Sequence, residues 1–166
     1  MSFRSVRAES FESLDDATTE RWMRFGRSGT TTFPMLLGLV VEDVRRDYCR
    51  MRLPFRDELL QAGGFVHGGA LSSLLDHVMV PTVGAVLDRD AVYSTVDMHV
   101  QFIRGIAGGD RAEDAIAEGW ITRRGRRTVF GESEAFGAES GRLLAKGVLT
   151  YAVSDPGVDR SGDSDG

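Results

Sequence analysis

The chain has little cysteine, no long apolar run and no excess of positive charge, and each shortage removes a class of protein. Cys49 is the only cysteine in 166 residues. No internal disulfide can form, and a reducing cytoplasm is the expected location. The setting of Cys49 in "DYCRMRL", which alternates like a strand, argues against a nucleophilic role. No apolar stretch approaches the ~20 residues of a membrane helix, so no membrane partner is expected. The opening "MSFRSVRAESFESLDD" lacks the apolar segment of a secretory signal. Lys and Arg number 20 against 25 Asp and Glu, for a net charge of −5. Residues 155–166 hold four Asp and one Arg, so most of that charge belongs to the tail. The body is nearly neutral, and nothing points to nucleic-acid binding.

What is present is the composition of one globular domain, with 42% hydrophobic and 27% charged residues. Residues 10–27 carry Phe11, Leu14, Trp22 and Phe25 at a spacing that predicts an amphipathic helix. Residues 1–31 therefore read as an N-terminal helix and connector, 32–154 as the main domain, and 155–166 as a disordered acidic tail. "MLLGLVVEDV" and "YCRMRLPF" predict two strands, with the charged "EDVRRD" as their hairpin and Pro54 at the end of the second. "RDELLQAGGF" reads as a loop with one helical turn. From Leu71 onward Leu74, Leu75, Val78, Met79, Val83 and Val86 define one helix face. Pro81 should kink this helix or end its regular part near Val80, because it cannot donate to the His77 carbonyl.

"VYSTVDMHVQFIR" alternates, with Val92, Ser94, Val96, Met98, Val100 and Phe102 on one face of a half-buried strand. "EDAIAEGWITR", "RTVFGESEAFGA" and "RLLAKGVLTYAV" predict three more strands, joined by turns at "RGR" and "ESGR". Short turns between late strands imply an antiparallel sheet. One long helix packs against it, an α+β layer with six strands. A single helix covers one face only, so self-association is expected.

The stretch "GGFVHGGALSSLLDHVM" carries the candidate chemistry. Gly68 and Gly69 at the helix start offer backbone N–H groups without intrahelical acceptors, at the positive end of the helix dipole. That is a seat for a polarised carbonyl, unless the glycines only permit a tight turn. Asp76 lies on the flank of Gly69, Ser72, Ser73 and Val80, off the centre of the leucine stripe. A carboxylate there can act as general base, or attack a thioester directly; the plain alternative is a solvated aspartate. Gly68 and Asp76 are eight residues apart, about 12 Å along one helix. One helix cannot bring both to one carbonyl. Two helices side by side across a dimer can, which predicts sites at the subunit interface.

"QAGGFVHGGALSSLLD" resembles the signature of hotdog-fold acyl-CoA thioesterases, close to the phenylacetate-pathway thioesterase group. The downstream "STVDMHVQFIRGIAGGD" is similar to the strand that follows the helix in that family. The resemblance runs over residues 35–153. It implies a hotdog fold with the long helix wrapped by the sheet, and an enzyme acting on acyl-CoA with no metal or redox cofactor. It implies that the Gly68 N–H, with Gly69, polarises the thioester carbonyl and that Asp76 is base or nucleophile. It implies that Gln61 positions water or the carbonyl, that His67 orients the helix entry, and that Thr95, with Ser94 beside it, holds water or contacts Asp76. Ser72 and Ser73 would flank the substrate. In "RRGRR", Arg126 and Arg127 read either as a solvated turn or as a seat for coenzyme A phosphates, with Arg104 as another candidate.

Other chemistries fit less well. His67 and His77 are ten residues apart, not the i, i+4 pair of a helical zinc site, so no metal is expected. Ser72 and Ser73 lack the G-x-S-x-G setting of a serine nucleophile. A hotdog hydratase or dehydratase acting on enoyl thioesters is one rival, although its Asp and His pair is not found. A non-catalytic acyl-CoA binding module is the other. The oligomer would be a homodimer, or a tetramer made of dimers.

Overall fold

The computed structural model describes residues 6–27, 31–87 and 90–154. Six strands form one antiparallel sheet around one long helix, the architecture that the resemblance implies. β1 (Val40–Arg45) and β2 (Tyr48–Leu53) precede helix α3 (Gly68–Gly84), with two short helices, α1 (Asp16–Met23) and α2 (Phe33–Leu37), ahead of them. β3 (Val92–Phe102), β4 (Ala115–Arg124), β5 (Thr128–Gly137) and β6 (Leu143–Ser154) follow. The sheet order is β1-β2-β4-β5-β6-β3, so β3 crosses over to the far edge. The acidic tail expected at 155–166 lies outside the described residues.

α3 buries Leu71, Leu74, Leu75, Val78, Met79 and Val83 against the inner face of the sheet. Fully burying one such side chain contributes ~1.5–3 kcal/mol, so this stripe is the main apolar contact of the fold. The helix comes close because the strands beneath it are bare. A Cβ on Gly131 would stand 2.2 Å from Met79 Cε, and one on Gly119 would stand 2.8 Å from Met79 Sδ. Pro81 is buried and does not end the helix, which continues to Gly84. The ring removes one rung of the ladder. Side chains serve neighbouring carbonyls: Thr82 Oγ1 donates to the Val78 carbonyl at 2.8 Å, and the Tyr93 hydroxyl to that of Val80 at 3.1 Å.

The N-terminal pattern divides where one helix was expected. Residues 7–10 form a 3-10 turn, 12–15 carry no regular structure, and α1 begins only at Asp16. Asp15 sets that start: its carboxylate accepts from the Thr18 N–H at 2.9 Å, as an N-cap. The residues before it lie on the outer face of the sheet, where Phe11 stacks on Tyr48 with ring centres 5.0 Å apart. The first strand likewise begins later than the sequence pattern suggests. Pro34 sits in the first turn of α2, and Gly38, at φ 72°, ends it in the left-handed conformation. β1 then extends through the expected hairpin to Arg45, and the turn closes on Asp47, at φ 65°.

The outer face holds a buried charge. Glu118 on β4 is 1% exposed and accepts from the Tyr48 hydroxyl, from Arg50 Nη1 at 3.0 Å and from Arg7 Nε at 3.2 Å. Arg7 also reaches Glu134 at 2.7 Å and lies 3.8 Å over the Trp120 ring. The N-terminal stretch therefore covers part of the face that the long helix leaves open. A buried carboxylate is tolerated only while its partners remain. Arg50→Ala should lower the urea midpoint, costing about 2 kcal/mol; Arg7 and Tyr48 hold this below the ~3–5 kcal/mol of a fully broken buried pair.

Candidate active site

The site begins at the mouth of α3. His67 is the N-cap, extended at φ −61° and ψ 136°, and its Nδ1 accepts the Gly69 N–H at 2.8 Å. A ring nitrogen that accepts carries no proton, so in the neutral ring the proton sits on Nε2. The Gly69 N–H is therefore spent on His67, and the expected pair of open donors is reduced to one. Gly68 N–H has no acceptor among the described residues. The space there is tight: a Cβ would stand 3.1 Å from Phe102 Cζ, so the ring would have to give way by a few tenths of an ångström. Val66, Gly68, Leu71, Phe102 and Arg104 line a cleft of about 290 Å³ at this mouth. Arg104 is exposed. Gln61 lies in the turn just before, and its side chain accepts the Gly63 N–H rather than reaching along the helix.

Asp76 sits two turns on, half-buried on the side of α3 that faces β3 and β6. Thr95 Oγ1 donates to Asp76 Oδ1 at 2.7 Å. The Tyr151 hydroxyl stands 3.2 Å from the same oxygen and 3.1 Å from the Asp76 carbonyl. Burial first, and the charge of Asp76 second, push the Tyr151 phenol far above its ordinary value. It therefore keeps its proton and donates. Tyr93, whose ring centre is 6.2 Å from that of Tyr151, is pushed up to about 12 by burial.

The strand that carries Thr95 does not alternate as the sequence suggests. Met98 and Val100 pack inward, which would put Val96 and Ser94 inward and Thr95 outward. A β-bulge between Thr95 and Asp97 takes up Val96 as an extra residue. Everything upstream changes face: Thr95 and Tyr93 turn in, while Val92, Ser94 and Val96 are exposed. Ser94, a candidate from the sequence, thus points away from Asp76. Ser72 and Ser73 stay on the Asp76 side of the helix, with Ser73 Oγ donating to the Gly69 carbonyl at 2.8 Å. His77 turns toward the N-terminal elements, its ring centre 5.6 Å from that of Phe33. Arg126 and Arg127 are exposed in the β4–β5 turn. That turn lies at the Asp76 end, since Thr128 pairs with Ala152 beside Tyr151. Tyr151 was missed in the sequence. Its parity with Ala145, Gly147 and Leu149 puts it on the inner face of β6, but nothing local shows that it reaches a carboxylate.

One copy therefore presents two half-sites, a free N–H at Gly68 and a held carboxylate at Asp76, about 12 Å apart on the helix. β3 pairs only with β6 and forms an edge of the sheet. Among the described residues that edge has no partner strand.

Comparison with known proteins gives these features a context. Residues 63–143 match the Thioesterase superfamily model. A candidate esterase of Saccharolobus solfataricus is 26% identical over 117 residues, covering 70% of this chain and 74% of that protein. A conserved protein of Pseudomonas aeruginosa shares the structure with a TM-score of 0.68 and 28% identity, over 75% of this chain and 95% of that one. A thioesterase of Haemophilus influenzae shares the fold with a TM-score of 0.74 at 15% identity, over 91% of this chain and 98% of its own. The fold is the hotdog fold.

One reactive side chain stands apart from this site. Cys49 faces the core from β2, fully buried, and burial pushes its thiol well above the ordinary value. In the native protein DTNB should find no reactive thiol, and one equivalent should appear only after denaturation in guanidinium.

Proposed function

Starting from a hotdog-fold domain whose residues 63–143 match the Thioesterase superfamily, we propose that this chain hydrolyses acyl-CoA thioesters to a free carboxylate and CoA. The observation that carries the reading is the Asp76 carboxylate. Thr95 and Tyr151 hold its Oδ1, and Oδ2 has no donor among the described residues. In the base route, Oδ2 takes a proton from water as the water oxygen attacks the thioester carbon. Negative charge gathers on the carbonyl oxygen, opposite the Gly68 N–H of a neighbouring copy. The tetrahedral intermediate then collapses, the C–S bond breaks, and the leaving sulfur takes the proton. In the nucleophile route Oδ2 attacks the thioester carbon and the C–S bond breaks, giving an anhydride and the CoA thiolate. Water then adds to the anhydride, whose C–O bond breaks to return the Asp76 carboxylate and release the acid, and one proton of the water goes to the thiolate. Either route needs a carboxylate, a donor and water, and no metal or redox cofactor.

The reading requires two copies, because one helix keeps its donor and its carboxylate apart. The edge strand β3 is the surface on which a second copy would add, with eleven residues and exposed Val92, Val96 and Phe102. His67 serves this chemistry by capping the helix and leaving Gly68 as the donor. Gln61 and the Ser72–Ser73 flank would border the thioester, and Arg104, Arg126 and Arg127 would meet CoA phosphates.

Asp76→Ala should remain folded and lose at least about 10²-fold in turnover, as expected when a base or nucleophile is removed. Turnover of an acyl-CoA panel is read by thiol release. Retained activity would remove Asp76 from the mechanism, and binding of acyl-CoA without thiol release would favour a non-catalytic module. Sedimentation equilibrium at micromolar chain should give a dimer or a multiple of it. A monomer that still turns over would overturn the shared site.

A further inference from the structure

The Asp76 carboxylate is gripped on one side only. Thr95 and Tyr151 face each other directly across the β3–β6 ladder, both on the inner face. Their hydroxyls converge on the same oxygen, Oδ1, at 2.7 and 3.2 Å. The Tyr151 hydroxyl is also 3.1 Å from the Asp76 main-chain carbonyl. One phenolic hydrogen thus bridges the side chain and the backbone of the same residue, which limits rotation of the carboxylate about its χ angles. Tyr151 is 1% exposed, so water does not replace the phenol. No ion pair reaches Asp76 among the described residues. The other polar groups nearby are engaged elsewhere: Tyr93 on the Val80 carbonyl, and His77 on the Ser73 carbonyl at 2.8 Å.

We propose that Tyr151 is a positioning residue that acts with Thr95 to fix Asp76 through Oδ1, so that Oδ2 alone is presented to the thioester or its attacking water. The inference rests on the hydrolytic reading of Asp76 and adds a residue to it. Both hydroxyls are engaged on Asp76 Oδ1, and neither lines the cleft at the Gly68 mouth, so both act on the reacting carboxylate and not on binding. Loss of the grip therefore lowers kcat and leaves KM nearly unchanged. A misaligned reacting group costs up to about 10²-fold, and loss of one of two donors should cost about tenfold.

The test uses the full chain and the best thioester of the panel. Tyr151→Phe keeps the ring and its buried volume; kcat should fall about tenfold with KM within about twofold. Thr95→Val should act likewise, and Thr95→Ser, which keeps the hydroxyl, should recover most of the loss. The carboxyl ¹³C resonance of Asp76 should move in Tyr151→Phe and in Thr95→Val, and stay near its original position in Thr95→Ser. The reciprocal Asp76→Asn should move the Tyr151 Cζ resonance, a measurement that stands even if Tyr151→Phe fails to fold. Unchanged kcat and an unmoved Asp76 resonance in Tyr151→Phe would overturn the proposal, as would an unmoved Tyr151 Cζ in Asp76→Asn. A wild-type chain without turnover on any thioester would sink the hydrolytic reading instead. The resonances would still decide whether Tyr151 holds Asp76.

Discussion

The structure depends on how closely α3 can lie on the sheet. Six apolar side chains of the helix are buried there, and they can be buried only because the strands below omit theirs at Gly119 and Gly131. Interiors are close-packed, so a shift of the helix by a methyl group is felt along its whole length. Both halves of the site ride on this helix. Its depth sets how near Asp76 comes to Thr95 and Tyr151, and whether Gly68 meets the Phe102 ring or stands clear of it. Core packing and site geometry are here one constraint seen from two sides of the same helix.

The outer face follows a different logic. There the sheet carries a charge ladder, and Glu118 is almost without solvent. Its burial depends on residues distant in sequence: Tyr48 and Arg50 on the neighbouring strand, and Arg7 from the chain's start. Such groups contribute little net stability, but they penalise arrangements that separate them. Arg7 stacked over Trp120 and Phe11 stacked on Tyr48 bind the N-terminal stretch to the domain. The sheet is consequently asymmetric, covered by its own chain toward β2 and β4 and open along β3.

Much of this was legible from residue order. Strand number, the antiparallel sheet, the long helix and the place of Asp76 on its flank all follow from local periodicity. What failed to show was always decided by something local pattern does not contain. The N-terminal helix is shorter than its apolar spacing suggests because Asp15 finds its cap at Thr18 and Phe11 finds Tyr48. Pro81 stays inside the helix, which runs on to Gly84 with the ring buried in the core, a packing outcome that its missing N–H does not foretell. Gly69 looked like a second open donor because its partner is a histidine ring nitrogen, whose role depends on tautomer. Tyr151 could not be tied to Asp76 from sequence, since 75 residues separate them and only the sheet register joins them.

The bulge on β3 has a consequence of a different kind. Val96 is 62% exposed, on the edge where a second copy would add. The bulge takes it out of the ladder: Thr95 pairs with Tyr151, and Asp97 is the next paired residue, opposite Thr150. The ladder therefore counts one residue fewer than the chain does. Residue 96 is supernumerary there, because removing it would leave Thr95 opposite Tyr151 and at the carboxylate. What this segment must keep is the pairing of Thr95, not the number of residues that separates it from Phe102.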